Sequence, residues 1–313
     1  AAFPVLLKPC RDHAEQNRYL TAQLRDYHAQ GYAYEQMAIL FRTNLGIRFV
    51  MDALMKGGIP FHMKDAIPNL FSHWISLDII AYLRLVSGTG NTRANWLRIM
   101  NRPNRYIKRE ALAPFTSDIS VAQLKAYYQD KDWMLERLDR LEYDLSIMKR
   151  MSPYAAIHYL SNAMKYQDYL KDYAKEHHIN EQELLDVLNA VHESSQSCRT
   201  FAEWFTYIDT YTEELQKQAK SPASKDANNE SGVCLCTLHC AKGLEYPIVF
   251  IPDINEDNIP HARAAVDADL EEERRLFYVG ITRAKEHLHL YCVGEASGKE
   301  KFPSRFLEEL NEM

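Results

Sequence analysis

Three polar stretches carry residue types that can do chemistry. The first is T-L-H-C-A-K-G-L-E-Y, residues 237–246, where His239, Lys242 and Glu245 lie between two apolar runs. The second is E-E-E-R-R-L-F-Y-V-G-I-T-R-A, residues 271–284, which ends at Arg283, with Lys285 just beyond. The third is Arg42-Thr43-Asn44, directly after the apolar run 37–41. Polar loops at the ends of buried strands are where α/β folds place their binding and reacting groups, because the strands hold the loops while their side chains stay accessible. Strand, polar loop, strand and a helix ending in arginine therefore make a candidate site. Cys234, Cys236 and Cys240 cluster as C-x-C-x3-C beside His239, a donor set that a metal could use. No second C-x2-C pair accompanies them, and Cys234 and Cys236 alternate with Leu235 inside an apolar run, so they read as small apolar residues and no metal is expected.

The elements that must position these groups follow from periodicity. Val233, Leu235 and Thr237 fall on one face of a strand, and 248–251 is the short continuous apolar run of a buried parallel strand. Glu271–Glu273 read as an acidic helix start, with Leu276, Phe277 and Ile281 on one buried face, and a strand follows over 287–293. Upstream, 5–7 is a short apolar start, 12–30 a helix stopping at Gly31, 37–41 a buried strand, and 46–56 a helix stopping at Gly57-Gly58. Residues 59–61 read as an edge strand and 77–86 as an apolar helix ending in the linker 87–91. From Trp96 to about Gln218 the spacing of Leu135, Leu138, Leu141, Leu145 and Met148, and of Leu184, Leu185, Leu188 and Val191, gives amphipathic helices and no alternating strand. Residues 220–232 form a polar loop leading back to Val233. The expected architecture is α/β: a parallel-sheet domain over 1–90 and 230–313, interrupted by an all-α insertion over 91–229.

At 313 residues the chain is long enough for two domains. A net charge of −6 excludes a uniformly basic nucleic-acid coat, but a local basic groove is still allowed, since only cations facing phosphates release counterions. No apolar run approaches the roughly twenty residues of a spanning helix and the N-terminus lacks a secretion signal, so a cytoplasmic, non-membrane protein is expected. The start at Ala1 suggests a processed or trimmed product.

In this order, residues 38–44 (A-I-L-F-R-T-N), 237–246 and 271–284 resemble motifs IV, V and VI of the UvrD/Rep-like superfamily 1 DNA helicases. The resemblance runs almost end to end over the C-terminal half of that family. It implies a RecA-like, P-loop-NTPase-type domain 2A carrying a helical domain 2B as its insertion. It also implies that Arg42 and Arg283 reach the γ-phosphate of ATP as arginine fingers, a role suited to a planar guanidinium that is always charged. Phe41 would lie beside the nucleotide base, Glu245 would accept from the ribose, and Thr237 and His239 would meet the backbone of single-stranded DNA. In the insertion, the family's glycine turn against duplex DNA is replaced by Asn101-Arg102-Pro103-Asn104-Arg105-Tyr106-Ile107-Lys108. Arg102, Arg105 and Lys108 are candidate duplex-phosphate contacts, with a solvated helix face as the competing reading.

No G-x4-G-K-[ST] occurs, so the phosphate-cradling loop is missing. Asp253 follows V-F-I-P, where Pro252 interrupts a Walker B pattern. The resemblance places the phosphate loop and the Mg²⁺ ligands on a preceding 1A domain. The expectation is an ATP-dependent 3′–5′ helicase of replication restart or repair that uses ATP and Mg²⁺. Its partners would be single-stranded DNA, single/double-strand junctions and the missing 1A/1B half, and this chain alone would be inactive. A non-catalytic DNA- or protein-binding homologue and a helicase-nuclease subunit are the alternatives.

Overall fold

The computed structural model describes residues 5–64, 68–116, 118–220, 232–262, 264, 266–296 and 298–311. The chain divides into two compact units, Ala1–Pro68 with Glu214–Met313, and Asn69–Glu213.

The first unit is built on a six-stranded sheet. Its strands are β1 (Val5–Cys10), β2 (Met37–Phe41), β3 (Phe61–Met63), β4 (Val233–Thr237), β5 (Tyr246–Ile251) and β6 (Ala284–Val293), in the order β1-β6-β5-β2-β4-β3. Every pairing is parallel. The sheet is central, with β2, β4 and β5 covered on both faces. Val233 through Cys236 are therefore all buried, where the sequence suggested one buried face, and Ile248–Ile251 are buried too. Helices α1 (His13–Ala29) and α2 (Asn44–Gly57) join the first strands. Asp12 caps α1 by accepting from the Glu15 N–H, and Gly58 ends α2 in the left-handed conformation at φ 63°. Ala38, Leu40, Cys234, Cys236, Val249 and Ile251 form one core cluster with Leu276, Phe277 and Phe306.

In the second unit the regular elements are all helical. They are α3 (Trp74–Ser87), α4 (Arg93–Ile99), α5 (Val121–Tyr127), α6 (Asp132–Met148), α7 (Pro153–Asn162), α8 (Tyr166–His177), α9 (Glu181–Ser194) and the first part of α10 (Phe201–Lys220), whose residues from Glu214 on are counted with the first unit, with short 3-10 turns. α3 packs on α4, α6, α7 and α9, so the division falls before it and not at the Ser87–Asn91 linker expected from composition. Of the polar loop 220–232, residues 221–231 lie outside the described residues.

The last helices, α11 (Asp267–Ile281) and α12 (Arg305–Asn311), belong to the first unit. α11 starts four residues before Glu271, so the acidic groups of its first turn are Asp267 and Asp269. β6 starts at Ala284, earlier than periodicity suggested.

Candidate functional site

Glu245 and Arg283 meet at the amino ends of β5 and β6. Tyr246 pairs with Ala284 and its N–H donates to the Arg283 carbonyl at 2.9 Å, so the two site residues are held side by side by the ladder itself. The Arg283 guanidinium is half-buried. Nε donates to the Val279 carbonyl at 2.9 Å, Nη1 to the Leu244 carbonyl at 3.0 Å, and Nη2 to Thr282 Oγ1 at 3.0 Å. Val279 lies in the last turn of α11, where unpaired carbonyls favour a cation. Glu245 is exposed and pairs with Lys285 at 3.0 Å, and that hydrogen bond, with the lysine charge, holds its carboxyl below the usual range.

Gly280 lets α11 approach this closely. A Cβ there would stand 2.4 Å from Leu238 Cδ2 and 3.2 Å from Ile251 Cδ1, and Leu238 is fully buried. The two polar stretches 237–246 and 271–284 thus pack directly on one another.

A second group lies at the carboxyl ends of β2 and β4. Phe41 pairs with Thr237, and the Leu238 N–H donates to the Phe41 carbonyl at 2.8 Å. Arg42 grips Glu273 of α11: Nε donates to Oε2 at 2.8 Å and Nη2 to Oε1 at 2.6 Å, and Glu273 also accepts the His261 N–H at 3.0 Å. Burial pushes the Glu273 carboxyl up, but hydrogen bonds from Arg42 and His261 outweigh it and leave it below the ordinary carboxylate value. Beside this pair is a cavity of about 410 Å³ lined by Arg42, His261, Asp269, Glu272 and Glu273. Thr237 is half-buried. Its carbonyl accepts from Ala241 N–H at 3.0 Å, starting the turn that carries the exposed His239. His239 and Lys242 line a groove of about 590 Å³ against Arg275 and Tyr278 of α11.

The two groups are far apart. Met37 pairs with Ile248, so Arg42 stands level with Asp253, eight residues along β5 from Glu245. At about 3.3 Å per residue the separation is ~25 Å. Along α11 the ten residues from Glu273 to Arg283 give ~15 Å at the helical rise. Two guanidiniums sharing one phosphate lie within about 8 Å of each other.

Three placements bear on the expected site. The end of β2, with Arg42, and the start of β6, with Arg283, lie at opposite ends of the parallel sheet. Phe41 is 2% exposed and packs against Gly46. In the helical unit, Arg102 is drawn into an internal network. Its Nη1 donates to Asp78 at 2.8 Å, Arg98 donates at 3.0 Å, and Tyr166 Oη donates at 2.9 Å, while Asp78 is fully buried. Arg105 donates to the carbonyls of Ile99 and Pro103 at 3.1 and 3.2 Å, and Lys108 alone of the three is exposed.

Glu273, Gly280 and Asp78 escaped sequence reasoning, although a signal was present. Glu273 shares the 3.6-residue phase of Leu276, Phe277 and Gly280, and Asp78 is the lone carboxylate in the apolar stripe of α3. A carboxylate on a buried phase calls for a cation partner. Asp253 is held by Gln16 Nε2 at 2.7 Å and His13 Nε2 at 3.1 Å. Cys234 and Cys236 are buried and Cys240 exposed, and among the described residues no group of three or more His, Cys, Asp or Glu side chains is placed to hold a metal. No helix among them is long and apolar enough to cross a membrane.

The sequence profile described as the UvrD-like helicase C-terminal domain matches residues 4–294. The chain is 29% identical to YjcD of Bacillus subtilis (strain 168) over 319 residues, covering 98% of this chain and 40% of that protein. It is 28% identical over 327 residues to the ATP-dependent DNA helicase PcrA of Staphylococcus epidermidis, covering 96% of this chain and 43% of PcrA. It is likewise 28% identical to PcrA of Staphylococcus aureus, with the same coverage of 96% and 43%. The chain thus spans about two fifths of the length of these relatives.

Proposed function

The chain belongs to the UvrD-like helicase C-terminal domain family, and on that premise we propose that it forms one wall of the ATP cleft, and part of the strand track, of a 3′–5′ ATP-dependent DNA helicase. The observation that carries this reading is the joint placement of Arg283 and Glu245 by the β5–β6 ladder. A guanidinium held by carbonyls beside an exposed carboxylate is a donor and acceptor set suited to a phosphate and a ribose hydroxyl. Arg283 would stabilise charge on the transferring phosphoryl group, and Glu245 would accept from the ribose. ATP supplies the phosphoryl group. The loop that cradles it and the ligands of its Mg²⁺ come from an upstream half, since this chain has no phosphate-loop sequence.

Thr237 and His239, at the opposite edge of the sheet, would meet the DNA backbone. The segment 237–246 joins both edges directly, so a shift at Glu245 is transmitted to Thr237 through a short turn packed on α11 by Leu238. This is a physical route from nucleotide state to strand grip, with closure on the upstream half as the two-state element. Arg42 is then a positioning residue that ties α11 to the end of β2 through Glu273. Repair or replication restart in the cytoplasm is the setting proposed for the whole protein.

The test is ATP turnover with the upstream half present. Arg283→Ala should lower kcat by about 10³-fold or more, the scale of arginine fingers. A small effect removes Arg283 from this role. Magnesium-dependent turnover by the present chain alone, abolished by Arg283→Ala, would overturn the division of labour.

A further inference from the structure

The turn between α4 and the 3-10 helix Arg109–Leu112 has closed off its backbone. Arg105 N–H donates to Asn101 Oδ1 at 3.3 Å, Tyr106 N–H to Asn104 Oδ1 at 3.1 Å, and Ile107 N–H to Asn101 Oδ1 at 2.9 Å. Lys108 N–H donates to Tyr128 Oη at 2.7 Å. Four successive amides that could cradle a phosphate are thus occupied by side chains, and the guanidiniums of Arg102 and Arg105 are engaged internally.

What the turn presents instead is planar. Tyr106 is 59% exposed and sits at φ 60°, a left-handed conformation that is unfavourable for a non-glycine residue. A strained residue held in the open is a pointer to function. Arg137 of α6 lies over the Tyr106 ring at 5.0 Å and over the Trp133 ring at 5.2 Å, and Trp133 is 50% exposed. Trp133 and Arg137 are four residues apart on α6 and share one face. Among the described residues no carboxylate forms an ion pair with Arg137, Lys108 or Arg109, all of which are exposed.

We propose that Tyr106, Arg137 and Trp133 form a stacking platform for an unpaired nucleobase, with Lys108 and Arg109 taking the adjoining phosphates. Aromatic faces bridged by a guanidinium provide sequence-tolerant stacking and a cation–π contribution, and the free cations match a polyanion. The helical unit therefore reads the unpaired end of a strand through side chains, and not through turn amides. The inference rests on the proposal that the protein acts on DNA.

The experiment is equilibrium binding of the 313-residue chain to a fluorescein-labelled hairpin ending in one unpaired thymidine, and to the same hairpin with an abasic site there. The variants are Tyr106→Gly, which is unstrained at this φ, and Trp133→Ala. Binding to the thymidine hairpin should weaken about 5- to 100-fold with either variant or with the abasic site. The losses should not add: on the abasic hairpin both variants should match the parent protein. Trp133 fluorescence should be quenched only by the thymidine hairpin. Salt-dependent binding that ignores the abasic site, or equal losses on both hairpins, overturns the platform and leaves the DNA reading standing. Absence of any salt-dependent binding overturns both. Binding to the thymidine hairpin that is unchanged in both variants would likewise overturn the platform.

Discussion

Replacing Arg42 with alanine separates a finger from a tie. Arg42 makes its two shortest bonds to Glu273 at 2.6 and 2.8 Å, and the two side chains are 18% and 11% exposed. Arg42→Ala leaves the Glu273 carboxylate in place with the His261 N–H as its remaining donor in this group. Removing one partner from a fully buried pair costs about 3–5 kcal/mol, and a charged hydrogen bond is worth about 1.5–3, so for this nearly buried pair we expect about 2–3 kcal/mol. In a unit of this size that is about 4–12 °C in Tm. The pH dependence adds a second signature. With Arg42 present the folded-state pKa of Glu273 is depressed, so its contribution is present above the unfolded value and lost as pH falls through the folded one. Without Arg42 two of the causes that depress this pKa are gone while burial remains, so the folded-state value moves up relative to the parent protein. The variant therefore loses less stability than the parent on acidification, and its Tm deficit should be largest near about pH 7 and shrink toward about pH 4.5. The assay is thermal unfolding of the 313-residue chain across this range, with ATP turnover measured beside the upstream half. Unchanged Tm with a loss of kcat as large as that of Arg283→Ala would place Arg42 at the phosphate and refute the separation along the sheet.

Other outcomes follow from the same geometry. Gly280→Val should destabilise the first unit by about 1–3 kcal/mol in denaturant unfolding, because the added carbons collide with buried Leu238. Asp78→Ala should cost about 1–3 kcal/mol by leaving Arg98 and Arg102, each about a third exposed, without their carboxylate. Arg102→Ala should likewise lower Tm without changing the salt slope of DNA binding, whereas Lys108→Ala should lower that slope by about one. Burial pushes His289 and His192 down to about 4, with the charge of His287 adding to the effect at His289. Each takes up its proton mainly on unfolding, so stability present above the unfolded value of about 6.5 should be lost as pH falls toward about 4.

Much of the site was legible in the sequence because its parts are local. Arg283 at the end of a helix and Glu245 at the head of a strand follow from periodicity and punctuation over a dozen residues each. Their adjacency follows once both strands are taken as parallel neighbours. The long apolar runs 37–41 and 248–251 announced a sheet covered on both faces, and the scarcity of breakers in the middle third goes with the helices seen there. The compact units divide at Pro68, because α3 packs on helices that follow it, which composition at 87–91 does not show.

The distance between the two groups along the sheet was not legible. Strand direction alone puts Phe41 and Arg42, at the end of β2, and Glu245 and Arg283, at the starts of β5 and β6, at opposite ends of a parallel sheet, but register sets how far apart they stand. Nor could the sequence show that Arg102 answers Asp78 or that Arg42 answers Glu273. Such pairs are made across 24 and 231 positions of chain, and a buried carboxylate takes whichever cation the fold brings within reach. Sequence alone determined which chemical groups this protein carries and which strands and helices bear them. Tertiary structure decided which arginines face outward and which are consumed in holding the fold, because that choice depends on desolvated partners that only packing brings together.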